Sequence, residues 1–182
     1  MPEARLEDSG SGLAPAEAGW FVVNVRDAEW HTREPFGSSC IFEGKSAWFE
    51  QLGINISVLE PGTPKSLYHS EGVQEDFLVL SGECALLIDG EERHLDAWDF
   101  VHAPAGTEHV FVGAGEEPCV VLMTGVRGRP EHLLYPKSEL AARYDASAEE
   151  TTPDPNVAYA GYEAPQRKRP SYWNRLPWVR QI

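Results

Sequence analysis

The chain has 182 residues, 42% hydrophobic and 24% charged, enough apolar material for the core of one domain with tails. Its formal charge of -14 argues against nucleic acid as a partner, because binding phosphates takes Lys and Arg. No stretch approaches the roughly 18 continuous apolar residues of a membrane helix, and no basic segment followed by an apolar run opens the chain, so no membrane association and a cytoplasmic location are expected.

Residues 1–18 are rich in Glu, Ser, Gly, Ala and Pro and are expected to be a disordered tail. A β-barrel domain is expected over 19–127. Residues 20–25 read as a short β-type run, 27–37 as a loop anchored by Trp30, and 39–42 as a strand. Residues 47–52 read as a turn or helical fragment. From 53 to 59 the chain alternates with period two, Ile54, Ile56 and Val58 on one face and Asn55, Ser57 and Leu59 on the other, the mark of a half-buried strand. Residues 77–80 and 84–88 are apolar on both faces, and Asp89-Gly90 after them is a hairpin signal. Further strands are expected at 100–101, 109–112 and 119–123. About eight to ten short strands at turn-marked intervals predict a sandwich or barrel.

Past Gly125 the character changes. Ser138 reads as the N-cap of a short helix, and 145–156 as irregular. Residues 164–182 carry Arg167, Lys168, Arg169, Arg175 and Arg180 with no acid, together with Tyr172, Trp173 and Trp178. A basic, aromatic tail after an acidic body is expected to dock, so 128–182 is read as an extension packed on the barrel or on a neighbouring subunit. Cys40, Cys84 and Cys119 are scattered, which fits buried reduced thiols and neither a disulfide framework nor a local zinc site.

The chemistry gathers between Pro61 and Gly113. His109 follows the Pro104–Gly106 turn and shares a face with Phe111. Glu75 shares a face with Phe77 and Val79, so pointing inward it must be paired, protonated or metal-bound. His69 precedes Glu75 by an even spacing, which puts both on one face of a continuous strand. Two His and a carboxylate converging in a barrel suit Fe(II), Mn(II) or Zn(II) with positions left open. His102 is a weaker candidate seven residues before His109.

These residues resemble the two motifs of the cupins. Gly62, Glu75 and Gly82 fit the first motif, and Pro104, Gly106 and His109 fit the second, with residues 83–97 between them. The chain departs from the pattern in three places. It has no His-x-His, Trp98 stands for the opening Gly of the second motif, and Gly113 for its closing Asn. His69 can take the first His position, with Glu71 in the second, or the second, with Leu67 in the first. The resemblance implies an all-β fold, a cupin-type double-stranded β-helix (jelly-roll barrel) with a short C-terminal helix and an extended aromatic and basic tail. It implies a divalent metal (Zn, Fe, Mn or Ni) on His69, Glu75 and His109, with Glu71 or Tyr68 as a fourth ligand. Tyr68 and His102 are then the expected proton donors, a small polar or carboxylated molecule the ligand, and a homodimer the assembly. A metal-dependent dioxygenase, isomerase or decarboxylase fits this set. The other reading is a small-molecule-binding or oligomerisation module without metal.

Overall fold

The computed structural model describes residues 1–127 and 132–179. Twelve strands dominate the described residues: β1 Leu6–Asp8, β2 Leu13–Pro15, β3 Glu29–Thr32, β4 Ser38–Ile41, β5 Leu52–Leu59, β6 Glu75–Ser81, β7 Glu83–Ile88, β8 Glu91–Leu95, β9 Phe100–Ala103, β10 His109–Ala114, β11 Cys119–Val126 and β12 Gln166–Arg167. Two short helices follow β11, α1 Glu139–Ala142 and α2 Pro155–Ala158, and a 3-10 turn spans Trp173–Arg175. A seven-stranded sheet runs β12-β3-β4-β5-β11-β6-β9, and a three-stranded sheet runs β10-β7-β8. All their pairings are antiparallel.

The two sheets close over one apolar core. Leu59, Phe77, Val79, Val121 and Met123 enter it from the larger sheet, and Cys84, Leu86 and Phe111 from the smaller. The Asp89-Gly90 turn joins β7 to β8 with both residues at positive φ, 45° and 80°, a conformation Gly adopts at no steric cost. This is the all-β double-stranded β-helix that the sequence predicts, with short helices added.

The alternation along β5 sorts its faces in an informative way. Leu59 is in the inter-sheet core and Asn55 lines the cavity described below. The apolar face, Ile56 and Val58, points outward and joins Trp30, Cys40, Val120 and Leu176 in a second cluster. Tyr172, Trp173 and Trp178 pack on that cluster, and Trp30 meets the rings of Trp173 and Trp178 at 5.3 and 5.4 Å. The tail thus covers the outer face of the larger sheet, with the Tyr172 hydroxyl donating to the Val58 carbonyl at 3.1 Å. Arg180, counted above in the basic tail, lies outside the described residues. The outer face of the smaller sheet is covered by α1, whose Ala141 packs with Tyr68, Leu87 and Val110. Ser138 caps α1 as expected, its side chain accepting from the Ala141 N–H.

Three local expectations are corrected. Residues 1–18, expected to be disordered, form the β1–β2 hairpin. Ala4 and Ala14 are buried, and the Ala4 and Leu13 N–H groups donate to the Trp20 and Asp27 carbonyls at 2.8 and 2.7 Å. Small side chains let the two backbones approach, so hydrogen bonding replaces apolar bulk. The β-type run at 20–25 is irregular, with Trp20 and Val22 exposed. The segment read as a loop around Trp30 contains β3. Trp30 is fully buried there, its indole N–H donating to the Val25 carbonyl at 3.0 Å. All three cysteines are buried and free.

Candidate metal centre in the barrel

His109 opens β10, and His69 pairs with it across an isolated antiparallel bridge. Glu75 opens β6 on the facing sheet. Residues 71–74 form no strand, so His69 and Glu75 do not lie on one continuous strand as expected. They converge because the His69–His109 bridge carries His69 to the same place. The Gly106 N–H donates to the Glu71 carbonyl at 2.7 Å, which fastens the Pro104–Gly106 turn to this segment. Gly106 sits at φ +87°, a conformation favouring Gly.

One ligand atom from each of His69, Glu75 and His109 lies within 4.8 Å of the others. His109 Nε2 is 3.5 Å from Glu75 Oε2, and the two imidazole centroids are 5.1 Å apart. Each ring is oriented from behind. His69 Nδ1 meets the Leu67 carbonyl at 2.8 Å, and His109 Nδ1 meets the Thr107 carbonyl at 3.1 Å. A carbonyl only accepts, so each Nδ1 carries the proton and each Nε2 turns a bare lone pair toward the cavity. Backbone support of this kind is typical of metal-bound histidines.

The electrostatics agree. Burial, reinforced by His69, lowers the His109 pKa to about 4, and burial also lowers that of His69. Burial, then the nearby Glu71 charge, raises Glu75 to about 8. Neutral rings beside a reluctant carboxylate form a donor set that a divalent cation would complete, drawing the proton from Glu75. Two imidazoles and one carboxylate fit Fe, Mn, Zn or Ni by donor type.

Glu71 stands outside the three-donor cluster. It lines the cavity, its Oε1 lies 4.0 Å from His69 Nε2, and its side chain is 40% exposed. Leu67 is fully buried in a separate cluster with Phe36 and Tyr135. The register left open by the sequence is thereby settled: His69 and Glu71 face the cavity, and Leu67 does not.

Two predicted site residues fall elsewhere. Tyr68 is buried on the outer face of the smaller sheet, where its hydroxyl accepts the Gly90 N–H at 3.1 Å. His102 is exposed on β9, directly across from Asp76, with Nδ1 2.7 Å from Asp76 Oδ1. Side chains alternate across a strand, so each turns away from the site beside which it sits in sequence.

The cavity, about 400 Å³, has further polar lining that the sequence reading missed: Asn55, Lys65, Thr124 and Arg127. Arg127 pairs with Glu43 and lies 5.3 Å from the Trp48 ring. Asn55 was visible as part of the polar face of β5. Lys65, in Thr63-Pro64-Lys65-Ser66, carried no signal beyond a turn.

Comparison with known proteins agrees with this architecture. A family model described as "Cupin domain" matches residues 55–125. A sugar phosphate isomerase from a cupin superfamily, from Silicibacter pomeroyi, is 27% identical with a TM-score of 0.52, over 59% of this chain and 76% of that one. The polyketide cyclase RemF from Streptomyces resistomycificus shares the fold at 15% identity and a TM-score of 0.54, over 62% of this chain and 82% of its own. A protein from Acidithiobacillus ferrooxidans is 28% identical with a TM-score of 0.42, over 46% of this chain, and the chain spans only 54% of its length. No curated protein matches the sequence. The segment matched by the cupin domain model runs from within β5 to within β11 and holds the motif residues Glu75 and His109, so the barrel of this chain is similar to a cupin domain over those residues.

Proposed function

We propose that the chain is a metal-binding cupin that holds a small polar, sugar-like or carboxylated ligand in the barrel mouth. The observation that carries this is the pair of imidazoles fixed through Nδ1 by the Leu67 and Thr107 carbonyls, both offering Nε2 beside the Glu75 carboxylate. The likeness to the Silicibacter pomeroyi sugar phosphate isomerase supports a ligand of that general kind. A bound divalent ion supplies Lewis acidity to a ligand oxygen. Glu71 is the group for moving a proton at the ligand. It lines the cavity outside the donor cluster, and burial raises its pKa above the ordinary carboxylate value. Phe77, Phe111 and Met123 form the apolar wall that limits water around the site.

The test is elemental analysis of untagged protein purified without chelating resin, beside His109→Ala. About one Fe, Mn, Zn or Ni per chain, lost in the variant, is expected, since losing a ligand should weaken binding by more than the roughly 10–100-fold that supporting residues contribute. No uptake of any of the four ions would leave the barrel as a metal-free ligand-binding module.

A further inference from the structure

A second cavity, about 310 Å³, adjoins the first and shares Asn55, Lys65 and Ser66 with it. Its wall also contains Arg33, His31 and Ser39, and no acid lines it among the described residues. That is unexpected in a chain with a formal charge of -14. Lys65 and Arg33 make no ion pair with a carboxylate among the described residues.

Both cations are held in place by neutral groups. Lys65 Nζ donates to Ser39 Oγ at 3.0 Å. Ser39 Oγ lies 3.2 Å from Ser57 Oγ, which donates to Asn55 Oδ1 at 3.0 Å. This chain of hydrogen bonds engages the Asn55 oxygen and leaves the Asn55 amide N–H groups without a partner in it. The Arg33 guanidinium lies 4.1 Å from the Tyr159 ring centroid, and its Nε donates to the Glu163 carbonyl at 2.9 Å. Tyr159 is itself fixed, its hydroxyl accepting the Leu67 N–H at 3.0 Å. The Nη groups of Arg33 and two of the three Lys65 protons have no partner in these bonds. Lys65 is half-buried and feels the positive charge of Arg33, and a partly desolvated charge without a counterion is costly. A ligand carrying two negative charges removes both penalties.

We propose that Lys65, Arg33 and Asn55 form an anion subsite for the phosphate group of a small phosphorylated ligand, whose other end reaches the His69–Glu75–His109 cluster through the shared wall. A phosphate dianion matches the two cations in charge, and its oxygens match the donors of Arg and Lys. The subsite stands on its own residues; only the placement of the ligand's other end rests on the metal reading above.

The probe is inorganic phosphate, titrated calorimetrically into the full chain after chelator treatment, for wild type, Lys65→Met and Arg33→Gln. Metal uptake of each is measured separately. Wild type should bind phosphate, and each variant should bind about tenfold more weakly or worse while taking up metal as wild type does. Equal phosphate binding by all three chains would overturn the subsite by placing the anion elsewhere, for example on Arg167–Arg169. So would the absence of phosphate binding to wild type. Should one variant fail to fold, the other decides. Phosphate binding that depends on Lys65 and Arg33 in a chain that takes up no metal would uphold the subsite and refute the metal reading.

Discussion

His69 and His109 exchange both backbone hydrogen bonds, the His69 N–H donating to the His109 carbonyl at 3.1 Å and the His109 N–H to the His69 carbonyl at 2.8 Å. Their rings are therefore positioned by a main-chain pair and not by side-chain packing alone. A slip of one residue in this pairing would turn one ring out of the cavity. The precision of the site thus rests on a register that Gly106 and the turn before His109 help to fix.

Glu71 and Glu75 should separate by experiment. Glu75→Gln loses a charged donor and is expected to lose most bound metal. Glu71→Gln should keep metal near the wild-type level, because Glu71 lies outside the cluster. Metal content of the two purified variants checks this, and equal loss in both would make Glu71 a ligand.

Tyr68→Phe and His102→Ala should both leave metal content unchanged. Tyr68→Phe leaves the Gly90 N–H without its acceptor and should cost about 1 kcal/mol in urea unfolding. His102→Ala removes an exposed pair and should change stability by about 0.5 kcal/mol or less. Metal loss in either variant would return that residue to the site.

These two residues show where the sequence stops being legible. Tyr68 sits one position from His69, and His102 opposite Asp76, one position from Glu75. Both are near the chemistry in sequence and a half-turn of pleat away from it in space. That Glu75 and His109 turn into the cavity was readable, because an inward carboxylate in an apolar strand needs a partner and His109 follows a recognisable turn. So were the Asp89-Gly90 hairpin and the Ser138 cap, whose signals are local. Lys65 and Arg33 were not, since one cavity wall joins the turn after β3 to the loop after β5 and no local pattern records that meeting. The N-terminal hairpin escaped because main-chain pairing, not apolar periodicity, holds it.

The tail is expected to be part of the folded unit. Leu176 is 2% exposed within the cluster around Trp30. Leu176→Ala should cost about 2–4 kcal/mol, and deleting residues 164–182 should cost more, lowering the melting temperature. An unchanged melting temperature in the deletion would show that the outer face of β5 does not need this cover.

Lys65 should leave a signature in the pH dependence of stability. Burial, then Arg33, lowers its pKa from 10.5 to about 8 in the folded chain. Between those values the unfolded chain binds more protons, so this group's contribution to stability rises with pH across the window and is most unfavourable below it. The stability of Lys65→Met relative to metal-free wild type should therefore be greatest below pH 8 and shrink toward pH 10.5. Urea midpoints of the two proteins across that range measure the difference, and a constant difference would mean that Lys65 is hydrated like a surface lysine.

Glu75 begins a strand of the seven-stranded sheet, and His109 begins one of the three-stranded sheet. A cation gripped by both would act as a cross-brace between the two layers, at the end of the barrel where the core gives way to the cavity. Loaded, the layers would release their amide protons to solvent as one unit. Empty, the smaller layer, with β8 as its exposed outer strand, would let go first.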